Sequence, residues 1–428
     1  MQISDILAEF GRSTPRDCED ARQMVRLSIF DWAACGLAGV DEPVARILKS
    51  RVIEDGGRPE ASLFGGGLVP ARAAALANGT TSHALDYDDT HFAHIGHPSV
   101  AVVPAALALA ETTQADVEAV IDAVLIGVEA SVRVGLWLGR DHYLTGFHQT
   151  ATAGAFGAAL AAARLLRLNH DQTVHALGLA ATRASGLKSQ FGTMGKPYNA
   201  GIAAETGVEV ARLAAQGMVS NPQAMDVAQG FGSSHAGLAV AQAFDGIGNS
   251  YLFEGVSHKF HACCHGTHAA IEALLVLNPD PLEVDQIAIE THPAWMTVCN
   301  KPRADTGLEA KFSYKVIIAM VLAGVDTGNP DSFADDLAKD PSLSAWADRV
   351  TVTQSAKLTE TQANLRVTLK DGSSSLGFHD LLAPITLPAR EARLAAKAAS
   401  ILGAERAEAL WRAVNGRDLA GLTGVLTV

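Results

Sequence analysis

Thr150–Leu168, TATAGAFGAALAAARLLRL, decides the fold class. It carries more apolar surface than one exposed helix face needs, so the helix it predicts is buried on several sides. Alanine at that density lets neighbouring helices approach closely. Asp116–Leu138 and Asn199–Gln216 read the same way. From about residue 14 to residue 270 long Ala, Leu and Val stretches alternate with short Gly, Pro and Asn breaks, with almost no period-2 alternation. Thr14, Pro15 and Asp17 form a helix start leading into Met24–Cys35, and Asp171 is the expected cap of a helix over Val174–Ala184. Gly65-Gly66-Gly67 reads as a flexible connector.

The character changes after about residue 275. Gln286–Thr291 (QIAIET), Arg349–Thr353 (RVTVT) and Asn364–Lys370 (NLRVTLK) alternate at strand length, and Lys370-Asp371-Gly372-Ser373 supplies an Asp-Gly hairpin turn. Phe312–Gly324 reads as a helix between strands, and helical patterns return at Arg393–Leu402 and Glu405–Val414. The expected class is mainly α: an all-helical domain over residues 1–268 and 390–428, with a smaller α+β domain over 269–389.

The 428 residues leave ample material for a core, and 48% hydrophobic with 18% charged residues excludes a disordered chain. Thirty-three Lys+Arg against 46 Asp+Glu give a formal charge of −13, so no overall positive field exists to hold nucleic acid. A few cations focused in one cleft can still bind an acidic small molecule. Five cysteines without C-x-x-C spacing fit a reducing cytoplasm. No signal peptide is visible in the sequence as given, and no apolar run reads as a membrane helix, so the expectation is a soluble cytoplasmic protein.

Four stretches carry candidate chemistry. SHALDYDDTHFAHIGHPS (82–99) packs His83, Asp86, Asp88, Asp89, Thr90, His91, His94 and His97 before an apolar helix, where backbone N–H groups favour anions. Its bland alternative is a solvated loop with Asx turns. Tyr143–Thr150 holds His148 at the mouth of the next helix, as a base or as a core-edge histidine on a backbone carbonyl. Gly186–Gly201 surrounds Lys188 and Lys196 with glycines, and Lys196 at a helix start calls for an anionic partner unless it is only a surface lysine. His258–His268 places His261, Cys263, Cys264, His265 and His268 at the join of the two halves. Zinc is weighed there and at His91, His94 and His97, but neither spacing fits a known zinc motif. G-x-S-x-G, P-loop and dinucleotide patterns are absent.

Taken in order, ALDYDDTHF with GHPS, GFHQTATAGAFGAAL, FGTMGKPYNAG, KFHACCHGTHAA and AKFSYK resemble the MmgE/PrpD family, over roughly Ser28 to Leu382. The resemblance implies a large helical domain, a smaller α+β lid domain, a homodimer, and no metal or organic cofactor. It also implies a small di- or tricarboxylate substrate bound between the domains, from which a proton next to a carboxylate is removed. By similarity Asp86, Thr90 and His97, then His148, then Lys196, take the pocket positions. Tyr143, Lys188, Cys264, His265 and Tyr314 are further substrate-binding candidates, with Cys264 and His265 left as alternatives for the position that faces the substrate.

On this reading His148 is the general acid or base, Lys196 and His97 stabilise the developing negative charge, Asp86 orients a histidine, and Thr90 binds a carboxylate. A lyase ranks first, an epimerase of an imino- or amino-dicarboxylate second, and a non-catalytic carboxylate-binding protein third.

Overall fold

The computed structural model describes residues 2–15 and 18–428. Asp17, expected at a helix start, lies outside the described residues. The chain divides into two compact units, Met1–His258 with Leu394–Val428, and Lys259–Arg393. The fold is mainly helical with a small mixed sheet.

The first unit contains α1 (Ile3–Arg12), α2 (Glu19–Ala38), α3 (Pro43–Asp55), α4 (Ala71–Ser82), α5 (Ser99–Thr113), α6 (Val117–Thr145), α7 (Gln149–Leu165), α8 (His170–Arg183) and α9 (Gly195–Ala215). The Ala- and Gly-rich composition does what the sequence implied. A Cβ on Gly157 of α7 would meet the Gly127 carbonyl of α6 at 2.4 Å, and one on Gly201 of α9 would meet the Leu76 carbonyl of α4 at 2.4 Å. Backbones that close exclude side chains at these crossings, so hydrogen atoms fill the interface. α6 is capped by Asp116, which accepts from the Ala119 N–H, and it breaks at Gly139, where φ is 74°.

Two local expectations are corrected. α8 is capped by Asn169, not Asp171, because Gln172 three positions on reaches back to complete a capping box. Gly65-Gly66-Gly67 is not a loose connector but the turn of a short antiparallel pair, β1 (Ala61–Ser62) with β2 (Leu68–Val69), so this unit is not wholly helical.

The second unit holds β3 (Val284–Thr291), β4 (Val350–Gln354), β5 (Gln362–Leu369) and β6 (Ser374–Asp380) in the order β4-β3-β5-β6. β4 runs parallel to β3; β5 pairs antiparallel with β3 and with β6, the latter through the Asp-Gly turn, where Gly372 takes φ 84°. Ile287, Ile289, Ala363, Leu365 and Val367 alternate inward and pack with Ala270, Leu274, Tyr314 and Ile318 from two helices. The helix Tyr314–Leu322 starts where the buried Ser313 accepts from the Val316 N–H. Among the described residues no helix is long and apolar enough to cross a membrane.

Candidate active site

Three segments of the first unit converge: the loop between α4 and α5, the start of α7 and the start of α9. The loop owes its shape partly to Asp86, whose φ of 51° is a left-handed conformation that aspartate tolerates better than most residues. It then carries Asp88 inward. One Asp88 oxygen accepts from His83 Nδ1 at 2.8 Å and the other from His97 Nδ1 at 2.7 Å. Burial alone would push the Asp88 carboxyl up, but the two imidazoles hold it well below the usual carboxylate range. An ionised Asp88 fixes both rings with their protons on Nδ1 and leaves both Nε2 lone pairs facing away from it.

His97 Nε2 lies 3.4 Å from Asp86 Oδ1, and Lys196 Nζ lies 2.5 Å from the same oxygen. Lys196 sits in the first turn of α9, where the helix dipole disfavours a cation, and Asp86 is the compensating anion. The Asp86 carboxylate is 39% exposed and that of Asp88 1%, so Asp86 is the one within reach of solvent. His148, the residue just before α7, is 2% exposed. Asn199 of α9 donates from Nδ2 to His148 Nδ1 at 3.2 Å, which leaves the ring proton on Nε2. The His148 ring stacks 6.2 Å from His83 and meets Phe191 edge-on at 4.9 Å.

Burial, followed by the charge of Lys196, drives the His148 imidazole well below its ordinary value. Burial also pulls His97 down to about 4 against the attraction of Asp88. The cluster therefore presents the Lys196 amine, the His148 Nε2–H as a donor, and the His97 Nε2 lone pair backed by the buried Asp88 carboxylate, while His83 Nε2 is buried. The His148 donor and the His97 lone pair can exchange protons with a bound molecule, and Lys196 can hold its negative charge.

The remaining candidates are placed as follows. Asp88 makes the hydrogen bonds to the histidines, through both Nδ1 atoms, while Asp86, expected to orient one of them, lies 3.4 Å from His97 Nε2 and beside Lys196. Thr90 is tied to Ser257 by a two-way backbone bridge, with its hydroxyl donating to the Ser257 carbonyl at 3.3 Å. Lys188 and Tyr143 pair with each other: Lys188 Nζ donates to the Tyr143 carbonyl at 3.0 Å and lies 3.6 Å from the centre of its ring.

In the second unit Cys264 and His265 lie on the turn before the helix His268–Leu277. Tyr314 is 0% exposed, donates to the Gly266 carbonyl at 2.7 Å and accepts from Thr291 at 2.9 Å. That makes it a core residue rather than a surface contact. The sequence places His83 and Asp88 in the first candidate stretch and Asn199 in the third but assigns none of them a role; the alternation Asp86-x-Asp88 is the available signal for a second acid.

The metal alternatives fare differently. His91, His94 and His97 diverge: His91 Nε2 donates to the Leu252 carbonyl at 2.8 Å, and His94 packs against Gly135 of α6. His261 is occupied by Thr327 at 2.7 Å and Glu272 at 3.2 Å. Among the described residues, only His83, Asp86, Asp88 and His97 bring donor atoms within 4.8 Å of one another. Asp88 already holds Nδ1 of both His83 and His97, and Lys196 already stands 2.5 Å from Asp86 Oδ1.

This constellation belongs to a chain that matches the MmgE/PrpD N-terminal domain over residues 2–241 and the MmgE/PrpD C-terminal domain over residues 261–409. The protein is a member of the MmgE/PrpD family. It is 31% identical over 292 residues to the cis-aconitate decarboxylase-like protein oryM of Aspergillus oryzae, covering 63% of this chain and 60% of that relative's length. It is 27% identical over 383 residues to the cis-aconitate decarboxylase of Homo sapiens, covering 84% and 79%. To that of Aspergillus terreus it is 26% identical over 393 residues, covering 83% and 79%.

Proposed function

We propose that the protein is a lyase that develops negative charge on a carbon next to a carboxylate of a small di- or tricarboxylate, of the decarboxylase type carried by its relatives. The observation that carries this reading is the line from Lys196 through Asp86 to His97 and Asp88, with His148 beside it. A substrate carboxylate competes with Asp86 for the Lys196 ammonium and accepts from His148 Nε2–H. When the carbon–carboxylate bond breaks, its electron pair spreads toward the neighbouring carboxylate, where those two donors stabilise it. The proton that quenches the carbanion comes from His97, whose imidazolium form Asp88 stabilises and the bound substrate's negative charge favours.

The test is a proton NMR time course in D2O with cis-aconitate, citrate, 2-methylcitrate and aspartate-derived iminodicarboxylates. A new vinyl signal with release of carbon dioxide supports the decarboxylase. A new olefin without it identifies a dehydratase. Exchange of one α-proton with no new olefin would move the reading to an epimerase. If His148→Ala and Lys196→Ala both keep full turnover of the responding substrate, the site is wrongly assigned.

A further inference from the structure

The second unit holds a thiol pair that the proposed chemistry does not use. All five cysteines are reduced. Cys299 donates its S–H to Cys264 Sγ at 2.9 Å, across 35 residues of sequence. A disulfide needs roughly 2.05 Å between sulfurs, so rotation of two side chains by about 1 Å closes the gap. Both backbones are already pinned. The Cys264 N–H donates to the Lys311 carbonyl at 3.0 Å, the Cys299 N–H to the Trp295 carbonyl at 2.8 Å, and the Tyr314 N–H to the Cys299 carbonyl at 3.0 Å. Gly266 lets the turn lie flat on this partner: a Cβ there would come within 2.5 Å of the Trp295 ring and 3.0 Å of Cys299 Sγ.

The two thiols are not equivalent. Cys264 is half-buried and Cys299 is fully buried. The hydrogen bond to Cys264 raises the Cys299 thiol well above its ordinary value, and burial adds to that. Cys264 alone of the pair is open to a small molecule, so it is the attacking sulfur, and the buried Cys299, whose S–H already points at Cys264 Sγ, is the resolving one. Cys263 is a poor competitor. It is buried, shares a hydrogen bond with Thr267 at 3.2 Å, and is pushed up to about 12 by burial.

We propose that Cys264 and Cys299 form a reversible redox modification site, closed to an intramolecular disulfide by a low-molecular-weight disulfide such as oxidised glutathione. The Cys264 thiolate attacks one sulfur of that disulfide; the S–S bond breaks, and one small thiolate leaves and takes up the proton lost by Cys264. The Cys299 sulfur then attacks Cys264 Sγ, releases the second small thiolate, and gives it the Cys299 proton. Two protein thiols are oxidised by two electrons, and one small disulfide is reduced to two thiols. The new bond fixes the turn centred on His265 to the segment Trp295–Cys299.

The experiment exposes the folded full chain to oxidised glutathione, traps thiols by alkylation before unfolding, and maps peptides. Two of five thiols disappear, one crosslinked Cys264–Cys299 peptide forms, no glutathione is retained, and dithiothreitol reverses the change. Cys299→Ala stops the reaction at glutathione on Cys264, Cys264→Ala abolishes it, and Cys263→Ala leaves it unchanged. Persistence of all five thiols, glutathione retained on Cys264 in the unaltered chain, or a Cys263–Cys264 crosslink would each overturn the proposal. These readouts do not depend on turnover, so they stand or fall separately from the proposed activity.

Discussion

Replacing Asp88 by asparagine changes one charge and almost no volume, and it strikes the group on which both imidazoles rest. The carboxylate accepts from two Nδ1–H donors, at 2.8 Å and 2.7 Å. An amide can accept from one of them only; its nitrogen must donate to the other ring, whose proton then moves to Nε2. The variant therefore turns one lone pair of the cluster into a donor and strips the imidazolium form of His97 of its counter-charge. With charge centres roughly 4 Å apart and an effective dielectric near 20, that counter-charge is worth about 4 kcal/mol. Each ~1.4 kcal/mol is a factor of ten in rate, so Asp88→Asn should lower kcat by about a thousandfold, with little change in KM. Long-range proton–nitrogen NMR of the imidazoles reads the tautomers without any substrate. The unaltered protein should show His83 and His97 protonated at Nδ1, and the variant one ring at Nε2. Either ring found at Nε2 in the unaltered protein, or a folded variant whose kcat stays within tenfold, would refute the reasoning.

Acid should unfold the first unit through its buried histidines. His91 and His97 are pulled to about 4 and His94 to about 3 by burial. The folded state thus binds fewer protons than the unfolded one, and the stability present above about pH 6.5 is lost as pH falls toward 4, at roughly 2 kcal/mol per ring by pH 5. Asp89, pushed up to about 7 by burial, acts in the opposite sense and offsets about 2 kcal/mol of that loss over the same window. A urea midpoint unchanged between pH 7 and pH 5 would contradict this balance. Tyr314→Phe strands the Gly266 carbonyl and should cost about 1–3 kcal/mol in denaturant titration while kcat stays within twofold; lost turnover at unchanged stability would return Tyr314 to the site. Lys397→Met removes the cation 2.6 Å from the buried Asp31 and should cost about 3–5 kcal/mol, read as a fall in Tm. Turnover should survive EDTA and dialysis, since Lys196 stands where a cation would approach Asp86; stoichiometric metal in protein purified without added metal would overturn that.

The helices were legible because apolar runs of alanine and leucine admit no other burial, and β3, β4 and β5 because they alternate around Ile287, Ile289, Val350, Leu365 and Val367. β6 was only implied by its turn. Its Leu376 is 67% exposed and its Phe378 55%, so pairing with β5, not an inward apolar face, makes it a strand. β1 and β2 are two residues each, too short for any period to register. Asn169 and Asp171 are both good caps, and the choice rests on which of them has a glutamine three positions later.

Residue types announced the site, but not the division of labour within it. The run from His83 to His97 mixes two kinds of histidine that no spacing distinguishes. His91 bonds the Leu252 carbonyl and His94 packs on the Gly135 surface of α6, whereas His83 and His97 are both held through Nδ1 by one carboxylate. What separates them is the left-handed turn at Asp86, which puts Asp86 toward solvent and Lys196 while Asp88 goes inward. Two acids one residue apart thereby take opposite duties. The exposed one neutralises a lysine until a substrate carboxylate replaces it, and the buried one has no exchange partner, which suits it to fix tautomers throughout a catalytic cycle.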